Sequence, residues 1–185
     1  LSGDGTEKEI RKKLIENNLV EAIIILPRSM FYSTDISVTL WILNKNKKAH
    51  TAPHEDVTRN YRDREDEVLF MDLRQCGEPF EKKFIQFSDQ DIKNFAETLH
   101  TWQQVGSDEN YQDIAEYCYS ANKSEISAKD YSLVPSKYIE FINRDVNINF
   151  DDKMNNLKDE FSELLAQDET SKKERNKLTI MVSED

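Results

Sequence analysis

The segment 20–26, Val-Glu-Ala-Ile-Ile-Ile-Leu, carries three consecutive isoleucines and no apolar–polar alternation. A strand with one wet face alternates, whereas a continuous apolar run must be covered on both faces. Any fold for this chain therefore lays elements on both sides of a sheet. Further on, Ile36, Val38, Leu40 and Ile42 alternate with Ser37, Thr39, Trp41 and Leu43, which predicts a half-covered second strand. Parallel neighbours need a crossover of roughly a dozen residues or more, so a loop as short as 27–35 suits an antiparallel pair. That loop holds Pro27, the adjacent rings Phe31 and Tyr32, and Ser33-Thr34. Large rings in a loop must pack on something. Either Phe31 and Tyr32 plug the end of the sheet, or Phe31 offers its face to a planar ligand such as a nucleobase.

Upstream, Thr6-Glu7-Lys8-Glu9 reads as a capping box, Ile10 and Leu14 share a helix face, and Asn17-Asn18 is a left-handed stop. Residues 44–67 turn polar, with Lys45, Lys47, Lys48 and the run Arg59-Asn60-Tyr61-Arg62-Asp63-Arg64, and read as a mobile loop or linker with a solvated charge run. Residues 68–73 predict another strand, ended by Cys76-Gly77-Glu78-Pro79. Ser88 caps a helix whose Ile92, Phe95, Ala96, Leu99 and Trp102 keep helical spacing, and 106–110 breaks it. A short strand over 117–121, a short helix over 124–129 and an extended or turn segment at Pro135 complete this part. Near the end, Phe150, Met154, Leu157, Phe161 and Leu164 repeat at coiled-coil spacing. The seam is too short to stand alone, so it needs a partner in its own domain or in another subunit. The run 172–177 breaks the pattern, and 178–182 is a short apolar end.

Thirty-six acidic against 25 basic residues give a net charge of −11. Binding nucleic acid over the whole surface would require the opposite sign, so any DNA contact is local or delegated. Cys76 and Cys118 are too few for a disulfide scaffold and point to a reducing compartment. No apolar stretch approaches the roughly 20 residues that span a bilayer. A soluble, cytoplasmic chain is expected. His50 and His54 are four apart but flank Pro53 in a polar stretch, and read as solvated loop residues; no metal site is expected. His100 reads as a helix-surface or packing residue.

Several stretches carry a family resemblance: 11–24 (Arg-Lys-Lys-Leu-Ile-Glu-Asn-Asn-Leu-Val-Glu-Ala-Ile-Ile), Leu26-Pro27, Met30-Phe31-Tyr32-Ser33-Thr34 and Leu40-Trp41-Ile42-Leu43-Asn44-Lys45. Phe70-Met71-Asp72-Leu73-Arg74 with the helix from Ser88 to Trp102, Glu125-Ile126, and Asp130-Tyr131-Ser132-Leu133-Val134-Pro135-Ser136-Lys137-Tyr138-Ile139 continue it. In this order they resemble the modification (methyltransferase) subunit of type I DNA restriction-modification systems. The resemblance covers about residues 7–140.

It implies an α/β fold: the last strands of a Rossmann-like S-adenosylmethionine-dependent methyltransferase sheet, then an α+β segment and a C-terminal helical extension. It implies methylation of the exocyclic amine of adenine in DNA, with Phe31 stacking on the flipped base and Tyr32 its neighbour. The implied partners are DNA and the specificity and restriction subunits. The family's glycine-containing cofactor motif and its Asn-Pro-Pro-aromatic motif do not occur here: the prolines stand at 27, 53, 79 and 135, and no two are adjacent. The chain, which opens on Leu1, is thus expected to be a C-terminal piece, inactive alone. Its expected parts are 1–48, the end of the catalytic domain; 49–67, a polar linker; 68–143, the domain's C-terminal part; and 144–185, a helical tail for subunit assembly. The seam Phe150, Met154, Leu157, Phe161 and Leu164 is the expected interface. The rival reading is a non-catalytic interaction module that docks through its C-terminal helix.

Overall fold

The isoleucine run forms β1 (Val20–Ile25) at the interior of a four-stranded sheet. The computed structural model describes residues 1–54, 57–106, 110–142 and 150–182. It separates into two units, Leu1–Ile142 and Asn143–Asp185. In the first, β1 is flanked by β2 (Thr39–Leu43), antiparallel as expected, and by β5 (Glu67–Asp72), parallel. Strand β8 (Cys118–Asn122) runs antiparallel to β5 and closes the order β2-β1-β5-β8. Both faces of β1 are covered, as its composition requires. One face joins Val20, Ile23, Val68 and Phe70 to Ile15 of α1 (Thr6–Glu16), Ile126 of α3 (Lys123–Ala128), and Leu133, Tyr138 and Ile139. The other joins Ala22, Ile24, Leu69 and Met71 to Trp102 of α2 (Asp89–Gln103). The result is a mixed α/β architecture with helices on both sides.

Local details both follow and depart from the sequence reading. Asn18 takes φ 55 and stops α1 as expected, but the Thr6–Glu9 capping box does not form: Gly5 is the N-cap, with no side-chain hydrogen bond. The caps lie elsewhere, at Ser88 with Asp91 and at Asn122 with Glu125. Strand β2 is shorter than the alternating run, and Ile36 and Leu40 are exposed, because β2 is the edge of the sheet. In α2, Phe95, Leu99 and Trp102 meet the core while Ile92 is exposed. Residues 107–109, within the expected break, lie outside the described residues. Pro135 opens a single 3-10 turn, Pro135–Lys137.

The largest correction concerns 44–67. This stretch is not a loop: β3 (His50–His54) and β4 (Val57–Tyr61) pair as an antiparallel hairpin, with Pro53 on its edge. Its charges are not all solvated. Arg64 and Lys47 are buried, and the reason lies in β1. A register shift between Val20 and Ala22 puts Val20 on the same face as Ile23, the re-aiming that a β-bulge produces. Glu21, fully buried at the bulge, accepts hydrogen bonds from Arg64 Nε at 2.8 Å, Gln103 Nε2 at 2.9 Å and Asn44 Nδ2 at 3.3 Å. Lys47 Nζ donates to the Val20 carbonyl at 2.9 Å and to the Glu67 carbonyl. Arg62 forks onto the Glu67 carboxylate at 2.7 and 3.0 Å and donates Nε to the Trp102 carbonyl at 2.7 Å. The polar stretch is therefore bolted to the sheet through charge.

Burial lowers the Lys47 ammonium from its ordinary 10.5 to about 8, against the pull of Glu21. Between those values the unfolded chain binds more protons than the folded one, so this group makes stability rise with pH there. The Cys76 and Cys118 thiols, pushed up by burial, act oppositely above about pH 8.5. Comparison with Lys47→Met isolates the lysine. The stability of the wild type relative to Lys47→Met should rise by about 2 kcal/mol from pH 8 to 10, measured by urea denaturation. A difference independent of pH would mean that Lys47 titrates as an ordinary lysine.

The second unit contains α4 (Phe150–Val182), a single helix of 33 residues. The helix continues through 172–177, where the sequence pattern predicted a break. Residues 144–149 and 183–185 of the expected tail lie outside the described residues.

Candidate functional site

Loop 27–35 leaves the C-terminal end of β1 and is closed at its base. Leu26 N donates to the Val38 carbonyl at 2.8 Å. Arg28 reaches across the loop to the Asp35 carboxylate at 2.8 Å and the Asp35 carbonyl at 3.2 Å, and the Ser29 hydroxyl donates to the same carboxylate. Ser29, and next Arg28, hold the Asp35 carboxyl below its ordinary pKa. At the tip, Thr34 N donates to the Phe31 carbonyl at 3.3 Å and tightens the turn.

This clamp presents the two rings at the surface. Phe31 is 43% exposed and Tyr32 is 76% exposed, so neither fills the end of the sheet as a core plug would. Tyr32 instead packs edge-on against Phe84, with centroids 4.5 Å apart and planes at 61°. Phe84 starts β7 (Phe84–Gln86), which pairs with β6 (Glu78–Phe80) in a small hairpin. Ile85 N donates to the Ser29 carbonyl at 3.1 Å and fastens this hairpin to the loop. Gly77 enters β6 at φ 91, and a Cβ there would meet Ile85 Cγ2 at 2.8 Å, so the turn into the hairpin requires glycine. Loop and hairpin enclose a groove of about 340 Å³ whose walls include Phe31, Tyr32, Asp35, Lys83 and Phe84. Sequence reasoning missed Phe84 and Lys83. The available signal was the aromatic spacing of Phe80, Phe84 and Phe87, which marks a second patterned segment after Gly77.

Other sequence candidates fall elsewhere. His50 and His54 stand on β3, and the His50 ring stacks on Tyr61 at 4.8 Å. Cys118 is buried in the core, and Cys76 borders a cavity of about 500 Å³ under α2, beside Thr98 and Tyr117. Burial raises both thiols, which favours the un-ionised and inert form. Among the described residues no group of three or more His, Cys, Asp or Glu could hold a metal ion. No described helix is long and apolar enough to cross a membrane. Phe150, Met154, Leu157, Phe161 and Leu164 all lie on α4 and are exposed, Phe150 at 71% and Met154 at 37% being the extremes.

Residues 1–147 match the family model described as N-6 DNA methylase. The type I restriction enzyme HindI methylase subunit of Haemophilus influenzae is 36% identical over 157 residues, which is 84% of this chain and 31% of that protein. The type I restriction enzyme MjaIX methylase subunit of Methanocaldococcus jannaschii is 28% identical over 178 residues, 96% of this chain and 29% of that protein. Among solved structures, the type I restriction-modification system methyltransferase subunit from Streptococcus thermophilus superposes with a TM-score of 0.59 at 23% identity. That match covers 77% of this chain and 25% of the other, and it bears on fold alone. The chain thus spans about a third of the length of the curated relatives it matches.

Proposed function

The chain belongs to the N-6 DNA methylase family, and from that premise we propose that it is the C-terminal part of a type I modification subunit. In this reading the whole subunit transfers a methyl group from S-adenosylmethionine to the exocyclic amine of adenine in DNA. The observation that carries the reading is the surface-held Phe31 on a loop clamped by Arg28 and Asp35. A base-modifying enzyme must hold its everted base against an aromatic or apolar face. A half-exposed ring on a pinned loop offers that face, with Tyr32 and its partner Phe84 alongside.

The antiparallel β1–β2 pair suits the late strands of a Rossmann-like sheet, which β5 and β8 continue on the far side of β1. Leu40 and Leu43 of β2 are exposed at its edge, where the remaining strands of the subunit would add. Residues 1–48 and 68–143 then belong to the methyltransferase domain, 49–67 carries the β3–β4 hairpin bolted onto it, and 144–185 serves assembly. Among the described residues, no glycine turn forms a cofactor cradle. A Cβ on Gly77 would collide with its own hairpin, while Gly5 and Gly106 face open space. We therefore assign S-adenosylmethionine binding and the hydrogen bonds to the target amine to other parts of the subunit. The partners proposed are DNA and the specificity and restriction subunits, in the cytoplasm.

The test is Phe31→Ala in the full-length subunit assembled with its specificity subunit. Base–aromatic stacking is worth about 1–3 kcal/mol, so methylation should slow about tenfold to a hundredfold, while Phe31→Trp keeps most of the activity. An unchanged rate with an unchanged melting temperature would return Phe31 to a packing role, and only a wild-type assembly that methylates no DNA would favour a non-catalytic interaction module.

A further inference from the structure

Two lysines, Lys82 and Lys83, stand with Glu81 in the three-residue turn between β6 and β7. They are exposed, on a chain whose net charge is −11. We infer that Lys83 binds the DNA phosphate beside the everted adenosine, so that the β6–β7 hairpin is the phosphate arm of the Phe31 groove. This rests on the proposed function and extends it to a residue and a chemical group that the family assignment does not name.

Five observations place the charge. Lys83 and Phe84 line the same groove as Phe31 and Tyr32. Lys83 Nζ sits 5.3 Å from the centroid of the Phe84 ring, a contact that orients an exposed ammonium without neutralising it. Phe84 is itself locked edge-on to Tyr32, and the hairpin is tied to the loop by the Ile85–Ser29 hydrogen bond. The lysine is thereby positioned relative to the rings through two independent contacts. The groove's carboxylate, Asp35, is paired with Arg28 at 2.8 Å and feels Lys83 only through space, with no ion pair between them. Lys83 makes no salt bridge with a described residue, which leaves it as the cation available to a ligand at this rim.

A nucleotide turned out of the duplex brings its base and its own phosphates to one rim, and stacking and charge are the two features a groove needs to hold it. This chain, at −11, cannot gain such affinity from its own surface as a whole, so a local cation beside the aromatic face has disproportionate weight. A phosphate contact carries no sequence information. Lys83 is therefore expected to set affinity and salt dependence and to leave site preference unchanged.

The experiment measures binding of the full-length modification subunit, assembled with its specificity subunit, to a duplex containing a site mapped by N6-methyladenine sequencing. Fluorescence anisotropy is recorded from 50 to 200 mM salt for wild type, Lys83→Gln, Lys83→Arg and Phe31→Ala. Loss of one phosphate contact should lower the slope of log affinity against log salt by about 0.9 and weaken binding by about five- to tenfold at 0.1 M salt. Lys83→Arg should retain the wild-type slope. An unchanged slope in Lys83→Gln while Phe31→Ala still slows methylation would overturn the phosphate arm and leave the stacking role standing. Equal loss in Lys83→Gln and Lys83→Arg would also overturn it, since a charge contact tolerates arginine. Were both Lys83→Gln binding and Phe31→Ala methylation unchanged, the placing of the everted base in the Phe31 groove would fall with it.

Discussion

Glu21→Ala should destabilise the protein by about 3–5 kcal/mol, the cost of leaving a buried cation without its partner. Glu21 has no exposed surface, and Arg64, its partner at 2.8 Å, has a side chain only 1% exposed. Removing the carboxylate strands the Arg64 guanidinium and the Gln103 and Asn44 amides, all of which point at Glu21. Arg64 has some compensation, since it also donates to the Arg62 carbonyl at 2.5 Å and lies over Tyr61. The loss should remain among the largest of any single substitution in the chain. Replacing both ions, Glu21→Leu with Arg64→Met, should recover much of it, because an apolar pair of similar size escapes the desolvation penalty. Urea denaturation of the wild type, Glu21→Leu, Arg64→Met and the double variant closes the cycle. A loss below about 1 kcal/mol for Glu21→Ala would mean that water reaches the bulge and the pair behaves as a surface one.

That buried pair marks where sequence reading loses its grip. The covered strand at 20–26 was legible because composition alone decides it: three isoleucines in a row leave no wet face. The antiparallel partner was legible because nine loop residues are too few for a crossover. Arg64 and Lys47 were not legible, since a run of charges is normally solvated and the acid that buries Arg64 lies 43 positions away. Pro53 hid the hairpin at 50–61, because proline inside a run argues against a strand unless that strand is an edge, as β3 is. The Thr6–Glu9 pattern was a false cap, one residue out of register with the Gly5 start. At the site, the loop and its rings followed from local sequence. Phe84 and Lys83 did not, because their place beside Tyr32 comes from a hairpin docked on the loop, a tertiary fact with only weak local pattern.

The seam on α4 yields the second large effect. A 33-residue helix that shows Phe150, Met154, Leu157, Phe161 and Leu164 to solvent carries an apolar stripe on an otherwise charged surface. Two heptads do not hold a free-standing coiled coil, and most helical stability in proteins comes from packing such a face. Burying each large apolar side chain is worth about 1.5–3 kcal/mol. If the stripe docks on a helix of the specificity subunit, Leu157→Asp with Phe161→Asp removes at least about 3 kcal/mol of interface energy, a hundredfold or more in affinity. Co-purification of the two subunits should then be lost. The melting temperature and circular dichroism of the full-length modification subunit should stay as in the wild type, because a solvent-facing stripe contributes little until a partner covers it. A large fall in melting temperature of the unpartnered subunit would show instead that the seam belongs to its own core. Retained co-purification with an unchanged melting temperature would place the subunit interface on another surface altogether.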